Sequence, residues 1–321
     1  MDKENKKGEL HPVWFFVILS IITIVLSAIL SFLGFQGTQT DVSLGSSSTS
    51  LLTVESLLSG SGIKFVVSES INNFLKFTPL GTIIVGLAGV GLMIKTGLLK
   101  SICKRLNKII PRKTMFFIFS LLCIIMGFSV DFSFVIMIPV AAILFTEYKR
   151  SQVVGMTMAF ASVAAGANIN IFLTSIDYSL IELAKSSVNL VDSNYSYGYT
   201  GNLFFVVIAI SNIFVPSLST KWTLFVPKMM PLFMKSNITP EFTGAMFRLA
   251  SSVTNIISPI FSYFVVYLGF IGLYSKNDFT IRKCYKMLMP YFIAILILWL
   301  FIVFGWYVLK APIGPNVFPT I

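Results

Sequence analysis

Arg248, Lys221 and Lys228 sit in a stretch that is otherwise apolar, Pro216 to Pro259, among paired serines, Thr254, Asn255 and several prolines. Hydrocarbon offers no water to unpaired polar groups, so such a stretch persists only buried in protein or lining a cavity. Interrupted membrane helices of this kind build the substrate and ion sites of secondary transporters. Within it, Ser251, Ser252, Thr254 and Asn255 gather hydroxyl and amide oxygens. Together with exposed carbonyls, these are the ligands a hard cation such as sodium prefers. The block AAGANIN, Ala164 to Asn170, repeats the theme with Asn168 and Asn170. Two readings fit it: a packing or kink site held by amide hydrogen bonds, or an unwound centre that coordinates a cation. The equivalent SSVTN favours the cation, with Asn168, Asn170, Ser251, Ser252, Thr254 and Asn255 as the expected sodium ligands. No other metal site and no cofactor is expected.

Charge adds a second chemistry. Arg248 stands between Met246-Phe247 and Leu249-Ala250. Snorkelling of its long stem to an interface is one use for it. Otherwise it needs an anion, and with no acid one turn away in sequence a substrate carboxylate is the natural partner. Asp131 and Asp177 are the acids within the apolar segments of the first half. Asp131, in FSVDFS, reads equally well as an interfacial residue at a helix end. Asp177 follows the AAGANIN break and precedes more apolar sequence, so a coupling or substrate role is expected, since acids inside a membrane are costly unless paired or functional. Ser219 and Trp222 are three apart and share one face if helical, although Trp222 also suits an interfacial aromatic belt.

The elements that must position these groups repeat. Set against itself at a shift of roughly 87 to 88 residues, the chain pairs Ser129 with Ser217, Pro139 with Pro227, Phe145 with Phe233 and Asn168 with Asn255. Apolar segments align by chance, but here the polar interruptions fall at the same place in each copy, as in inverted-repeat carriers.

Composition fixes the class. With 55% hydrophobic and 12% charged residues and a mean hydropathy of +0.85, the chain is far from soluble domains, in which about 25% of residues are charged. It reads as an all-α polytopic membrane protein. The net charge of +11 lies in connections between apolar runs, where it sets topology, so no nucleic-acid partner is implied. Cys103, Cys123 and Cys284 have neither disulfide-framework nor zinc spacing. His11 is the only histidine, and neither H-E-x-x-H nor a P-loop is present. An enzyme and an ATP-driven pump are both disfavoured.

In chain order, residues 1–113 supply an N-terminal tail, two transmembrane helices and a basic connection. The first apolar run, PVWFFVILSIITIVLSAILSFLG, is too long for a signal-peptide core. A serine-rich stretch poor in Lys and Arg follows and is expected outside, its second half helical along the interface or capping the fold. In the next span Gly81, Gly86, Gly89 and Gly91 are expected to permit close helix packing. Lys95 to Lys113 then mark the inside, which makes the N-terminus cytoplasmic. Residues 114–200 form a first hairpin and broken helix, the hairpin being either two spans or one re-entrant loop around FSVDFS. Residues 201–274 form the second copy, entering from the opposite side. Residues 275–321 close the chain with a helix expected from about Met287 to Leu309.

With those residues in view, the sequence resembles the aminobenzoyl-glutamate transporter (AbgT) family. The likeness rests on HPVWFFVILS, PLGTIIVGLAGVGLMIKTGLL, AGANINIFLTSIDYSL, PSLSTKWTLFVPKMMPLFM and TPEFTGAMFRLASSVTNIISP, in order over most of the chain. The resemblance implies a homodimeric, ion-coupled secondary transporter in the cell membrane, with re-entrant hairpins and broken helices. Its expected cargo is p-aminobenzoyl-glutamate, a related anionic aromatic metabolite or, for export, sulfonamide-like antimetabolites. It carries substrate-binding roles onto Asp177, Ser219, Trp222, Pro240 and Arg248. Two departures stand out. The family's acid three residues after the arginine is Ser251 here, and GNLFFVVIAIS runs almost directly into NIFVPSLSTKW where members carry further helices. A shortened, non-transporting membrane protein of the same family is therefore the alternative function.

Overall fold

Apolar runs of helical length, punctuated by proline, glycine and short polar caps, dictate an almost wholly helical chain. The computed structural model describes residues 12–43, 46–77, 79–127, 129–168, 201–274, 280–314 and 317–320. Helix α1 (Pro12–Phe32) is followed by two strands, β1 (Gln36–Ser43) and β2 (Ser46–Thr53), and by α2 (Gly60–Leu75), α3 (Leu80–Lys95) and α4 (Leu98–Ile109). Three helices, α5 (Met115–Met126), α6 (Val130–Glu147) and α7 (Gln152–Gly166), make up the first half's core. Then come α8 (Gly201–Phe214), α9 (Leu218–Lys235), α10 (Pro240–Asn255), α11 (Ser262–Tyr274) and α12 (Ile281–Leu309). Three of these, α1, α6 and α12, are individually long and apolar enough to cross a bilayer.

The helix starts carry the sequence periodicity. Helix α9 begins 88 residues after α6, at 218 against 130, and α10 begins 88 after α7, at 240 against 152. Local chemistry sets these starts in the second copy. Ser217 caps α9 by accepting from the Thr220 amide, and Thr239 caps α10 by accepting from the Phe242 amide. Pro240 then takes the first turn, where its missing N–H costs nothing, and Glu241 complements the helix dipole. After Asn255 the helix stops, turns through residues 256–261 and resumes as α11.

Packing divides into two apolar cores. One joins α5, α6 and α7 to α11 and the start of α12, with Phe134, Phe145, Phe160, Phe264 and Tyr267 fully buried. Tyr263 stacks on Phe134 and Tyr267 on Phe160, each with centroids 4.6 Å apart. The other core gathers α8, α9 and α10 around Phe205, Met230, Met246 and Phe247, closed by Val303 of α12. Phe292 and Ile295 of α12 pack against both. By contrast, none of the apolar span of α1 is buried, as a lipid-facing helix requires.

Several expectations need correction. The serine-rich stretch after α1 is not a plain loop: β1 and β2 pair antiparallel, Gln36 opposite Thr53 and Ser43 opposite Ser46. Alternate Thr and Val residues suit an extended ladder, and the reading of polar composition as loop missed it. The basic connection contains α4, which buries Leu99 and Cys103. Desolvation there, reinforced by the Glu147 carboxylate, pushes the Cys103 thiol up to about 11. The glycines of α3 do not all serve packing. At Gly86 an added Cβ would lie 3.0 Å from a Val135 methyl, but at Gly81, Gly89 and Gly91 it would meet nothing within 4 Å. The closing helix begins at Ile281, about one and two-thirds turns earlier than its expected start.

Candidate functional site

The site is built where α8, α9 and α10 converge, because Asn212, Lys221, Ser251 and Asn255 project into one dry volume. Lys221, Asn212 and Ser251 are fully buried and Asn255 nearly so. The Lys221 ammonium donates to Asn212 Oδ1 and, at 2.6 Å, to Ser251 Oγ. Asn212 Nδ2 in turn donates to the Ser251 carbonyl at 2.9 Å and to Asn255 Oδ1 at 2.8 Å. The ammonium also faces the Phe247 ring, 5.5 Å from its centroid, a distance at which cation–π attraction operates. The cluster thus joins three helices by charge-assisted and amide hydrogen bonds inside an otherwise apolar core.

The expected ligand oxygens of the second copy are engaged by the protein itself. Ser251 Oγ accepts from Lys221, and Asn255 Oδ1 accepts from Asn212. Ser252 Oγ donates to the Leu249 carbonyl at 2.8 Å and Thr254 Oγ1 to the Ala250 carbonyl at 3.5 Å. Helix α10 remains helical through all of them and breaks only after Asn255. In the first copy, α7 ends at Gly166, and half-buried Asn168 stands two residues beyond it. Helices α7 and α10 pack against each other, so both amides stand at the C-terminal ends of neighbouring helices. Asn170 and Asp177 lie outside the described residues.

Gly166 explains the small residues of AAGANIN. A Cβ there would run into the Ile124 carbonyl, and one on Gly127 would fall 2.6 Å from the Gly166 backbone. The block therefore lets α7 approach the end of α5 at backbone contact.

Of the expected substrate residues, Trp222 is buried against α10, not in an interfacial belt. Its ring meets Phe247 edge to face at 4.9 Å, and a Cβ on Gly244 would touch it at 3.5 Å. Pro240 is half-buried at the first turn of α10, and Arg248 is half-buried one residue beyond Phe247. Ser219 lies on α9, and its side chain is outside the described part. Trp222 and Phe247 thus pack together, Arg248 follows Phe247 on α10, and Lys221 precedes Trp222 on α9. Asp131 is not a bare interfacial acid either: its carboxylate accepts the Tyr263 hydroxyl, which ties the hairpin turn of the first half to the start of α11.

Sequence reasoning missed Asn212. The available signal was an amide inside the apolar run of α8, nine residues before an intramembrane lysine.

Residues 5–321 match the family model of the AbgT transporter family, in two pieces covering residues 5–214 and 205–321. The chain belongs to the AbgT transporter family. The two pieces overlap on residues 205–214, within α8, so the family pattern is met in two parts joined on that helix. A curated relative, the p-aminobenzoyl-glutamate transport protein of Escherichia coli (strain K12), is 31% identical over 139 residues. That match spans 42% of this chain and 27% of the relative's length. The solved Alcanivorax borkumensis YdaH transporter is 19% identical and superposes with a TM-score of 0.55, over 95% of this chain and 100% of that one. Neisseria gonorrhoeae MtrF, described with a class of antimetabolite efflux pumps, is also 19% identical, with a TM-score of 0.47 over 97% and 98%. The likeness to YdaH shows the fold. This is an all-α membrane protein of a transporter family, and the proteins it matches are transporters, not enzymes.

Proposed function

We propose that this chain is an ion-coupled secondary carrier of p-aminobenzoyl-glutamate or a related aromatic anion, and that export of sulfonamide-like antimetabolites is a further use of the same site. The observation that supports this reading most is Trp222 of α9 set edge to face on Phe247 of α10, with Arg248 the next residue of that helix. Aromatic faces and a guanidinium fork suit a ligand with a ring at one end and carboxylates at the other. Ser219 and Pro240 on the same two helices, together with Asp177, complete the proposed substrate set. The coupling ion is sodium or a proton. Sodium would draw on Asn168, Asn170, Ser251, Ser252, Thr254 and Asn255, once those now hydrogen-bonded had exchanged their partners.

The 88-residue spacing of the helix starts supports two copies of one unit, 114–200 and 201–274, in inverted topology. The basic connection at Lys95 to Lys113 supports a cytoplasmic N-terminus, and the cell membrane is the proposed location. A homodimer is proposed from the family alone. A second reading, a non-transporting membrane protein, draws on the direct joint at α8, where the two matched pieces overlap.

The test is uptake and efflux of labelled p-aminobenzoyl-glutamate in proteoliposomes with imposed sodium or proton gradients. Gradient-dependent flux above protein-free vesicles is expected. Flux equal to that of empty vesicles under every gradient would leave the non-transporting reading standing.

A further inference from the structure

Lys221 is an ionisable group in the buried cluster, and the proposed substrate set does not use it. An ammonium has three N–H donors. One reaches Asn212 Oδ1, one reaches Ser251 Oγ, and the remaining side faces the Phe247 ring. Asn212 is fixed in this role, because both hydrogens of its amide nitrogen are committed, to the Ser251 carbonyl and to Asn255 Oδ1. Every polar partner of the lysine is therefore neutral.

No carboxylate of the described side chains pairs with the ammonium, although strand β1, which packs against α9, carries Asp41. Helices α7 and α8 contain no ionisable side chain. Helix α10 contributes Glu241, exposed in its first turn, and Arg248, another cation. Helix α9 itself adds Lys228 and exposed Lys235, and the part of α12 that lines this core adds Tyr307. Ser251, which accepts from the ammonium, is a neutral hydroxyl.

Nor does the fold need a lysine at this place. On the 88-residue spacing of the starts of α9 and α10, Lys221 and Ser251 correspond to Ser133 and Val163. There Ser133 satisfies itself on the Met126 and Ser129 carbonyls, and Val163 is apolar. The matching position on α6 thus packs without a lysine. An ionisable group retained inside a membrane at one of two matching positions marks function before structure.

We propose that Lys221 is the proton-binding group of the transport cycle. Protonated, it ties α9 to α8 through Asn212 and to α10 through Ser251. In the other form one Nζ–H bond breaks, the proton passes to water, and the nitrogen keeps the electron pair. The neutral amine has one donor fewer and no charge to hold both acceptors, so the tie loosens and α9 is free to shift against α10. This rests on the carrier reading above, and the test separates the two.

Purified protein carrying 13C at the lysine ε-carbon is titrated by NMR, with Lys221 assigned by the resonance missing in Lys221→Met. In parallel, proteoliposomes with an entrapped pH dye report proton movement accompanying labelled p-aminobenzoyl-glutamate. The Lys221 resonance is expected to titrate within the range from about pH 5 to about pH 10. Lys221→Arg, which keeps the charge but cannot give up its proton, is expected to melt like the wild type and to lose proton movement at least ten-fold. Ser251→Asp sets a carboxylate beside the ammonium and favours the charged form, so it is expected to move the midpoint to higher pH. A resonance unchanged across the range, or proton movement in Lys221→Arg or Lys221→Met at the wild-type rate per probe molecule, overturns the proposal. Titration in a protein that moves no probe supports the proton site and overturns the carrier reading alone.

Discussion

Arg248 and Lys221 are two cations on neighbouring helices, and their surroundings give them different work. Arg248 is half-buried on α10, and its planar fork can take a carboxylate bidentately. Lysine lacks that fork. Arg248→Lys is therefore expected to weaken binding of p-aminobenzoyl-glutamate by about 1.5–3 kcal/mol, the range for hydrogen bonds to charged groups, with melting unchanged. Isothermal titration of the purified variants checks this. Unchanged binding in Arg248→Lys, with folding lost in Arg248→Ala, would make the arginine a structural anchor. Asn212 carries a different expectation. Asn212→Leu takes one acceptor from the Lys221 ammonium and the side-chain donor from the Ser251 carbonyl and Asn255 Oδ1 in a buried core. A buried group left unsatisfied costs about 1–3 kcal/mol, so a lower melting temperature in detergent is expected, and wild-type melting would mean that the cluster adds no net stability.

At the scale of elements, backbone proximity decides which glycines matter. Helices α5 and α7 touch through Gly127 and Gly166, where a Cβ has no room. On α3, an added Cβ at Gly89 meets nothing within 4 Å. Gly166→Val is expected to prevent a folded, monodisperse protein. Gly89→Ala is expected to fold and to gain about 0.5–1 kcal/mol from helix propensity. Size-exclusion chromatography and thermal melts distinguish these outcomes, and a well-folded Gly166→Val would show that the contact between α5 and α7 is not tight.

The same contrast shows what could be read in advance. The starts of α6, α7, α9 and α10 were legible because prolines, cap residues and amides punctuate the sequence at the same spacing. The β1–β2 hairpin was not, since serine-rich composition signals a loop as readily as a strand. The glycines of α3 looked like packing residues because sequence does not say which face of a helix meets a neighbour. Asp131 and Tyr263 lie 132 positions apart, beyond the reach of any local pattern. Lys221 was visible as a charge in an apolar run, but its neutral partners come from two other helices.

At the scale of the whole molecule, the two apolar cores are joined by α11, which follows the second break yet packs on α6 and α7, and by α12, whose Phe292 and Ile295 touch both. On the proposed carrier function, one helix group would rock against the other while α12 spans them, as alternating access around a central site requires. The joint at α8 does not interrupt the second core, because Phe204, Phe205 and Ile208 of that helix are buried in it. The central claim is that this chain cycles as a carrier, and counterflow tests it without any ion gradient. Vesicles preloaded with unlabelled p-aminobenzoyl-glutamate are diluted into a trace of labelled compound. A carrier is expected to exchange the two and to accumulate label transiently above its equilibrium level, an overshoot absent from protein-free vesicles. Label that rises only to equilibrium, at the rate seen in empty vesicles, would contradict the account.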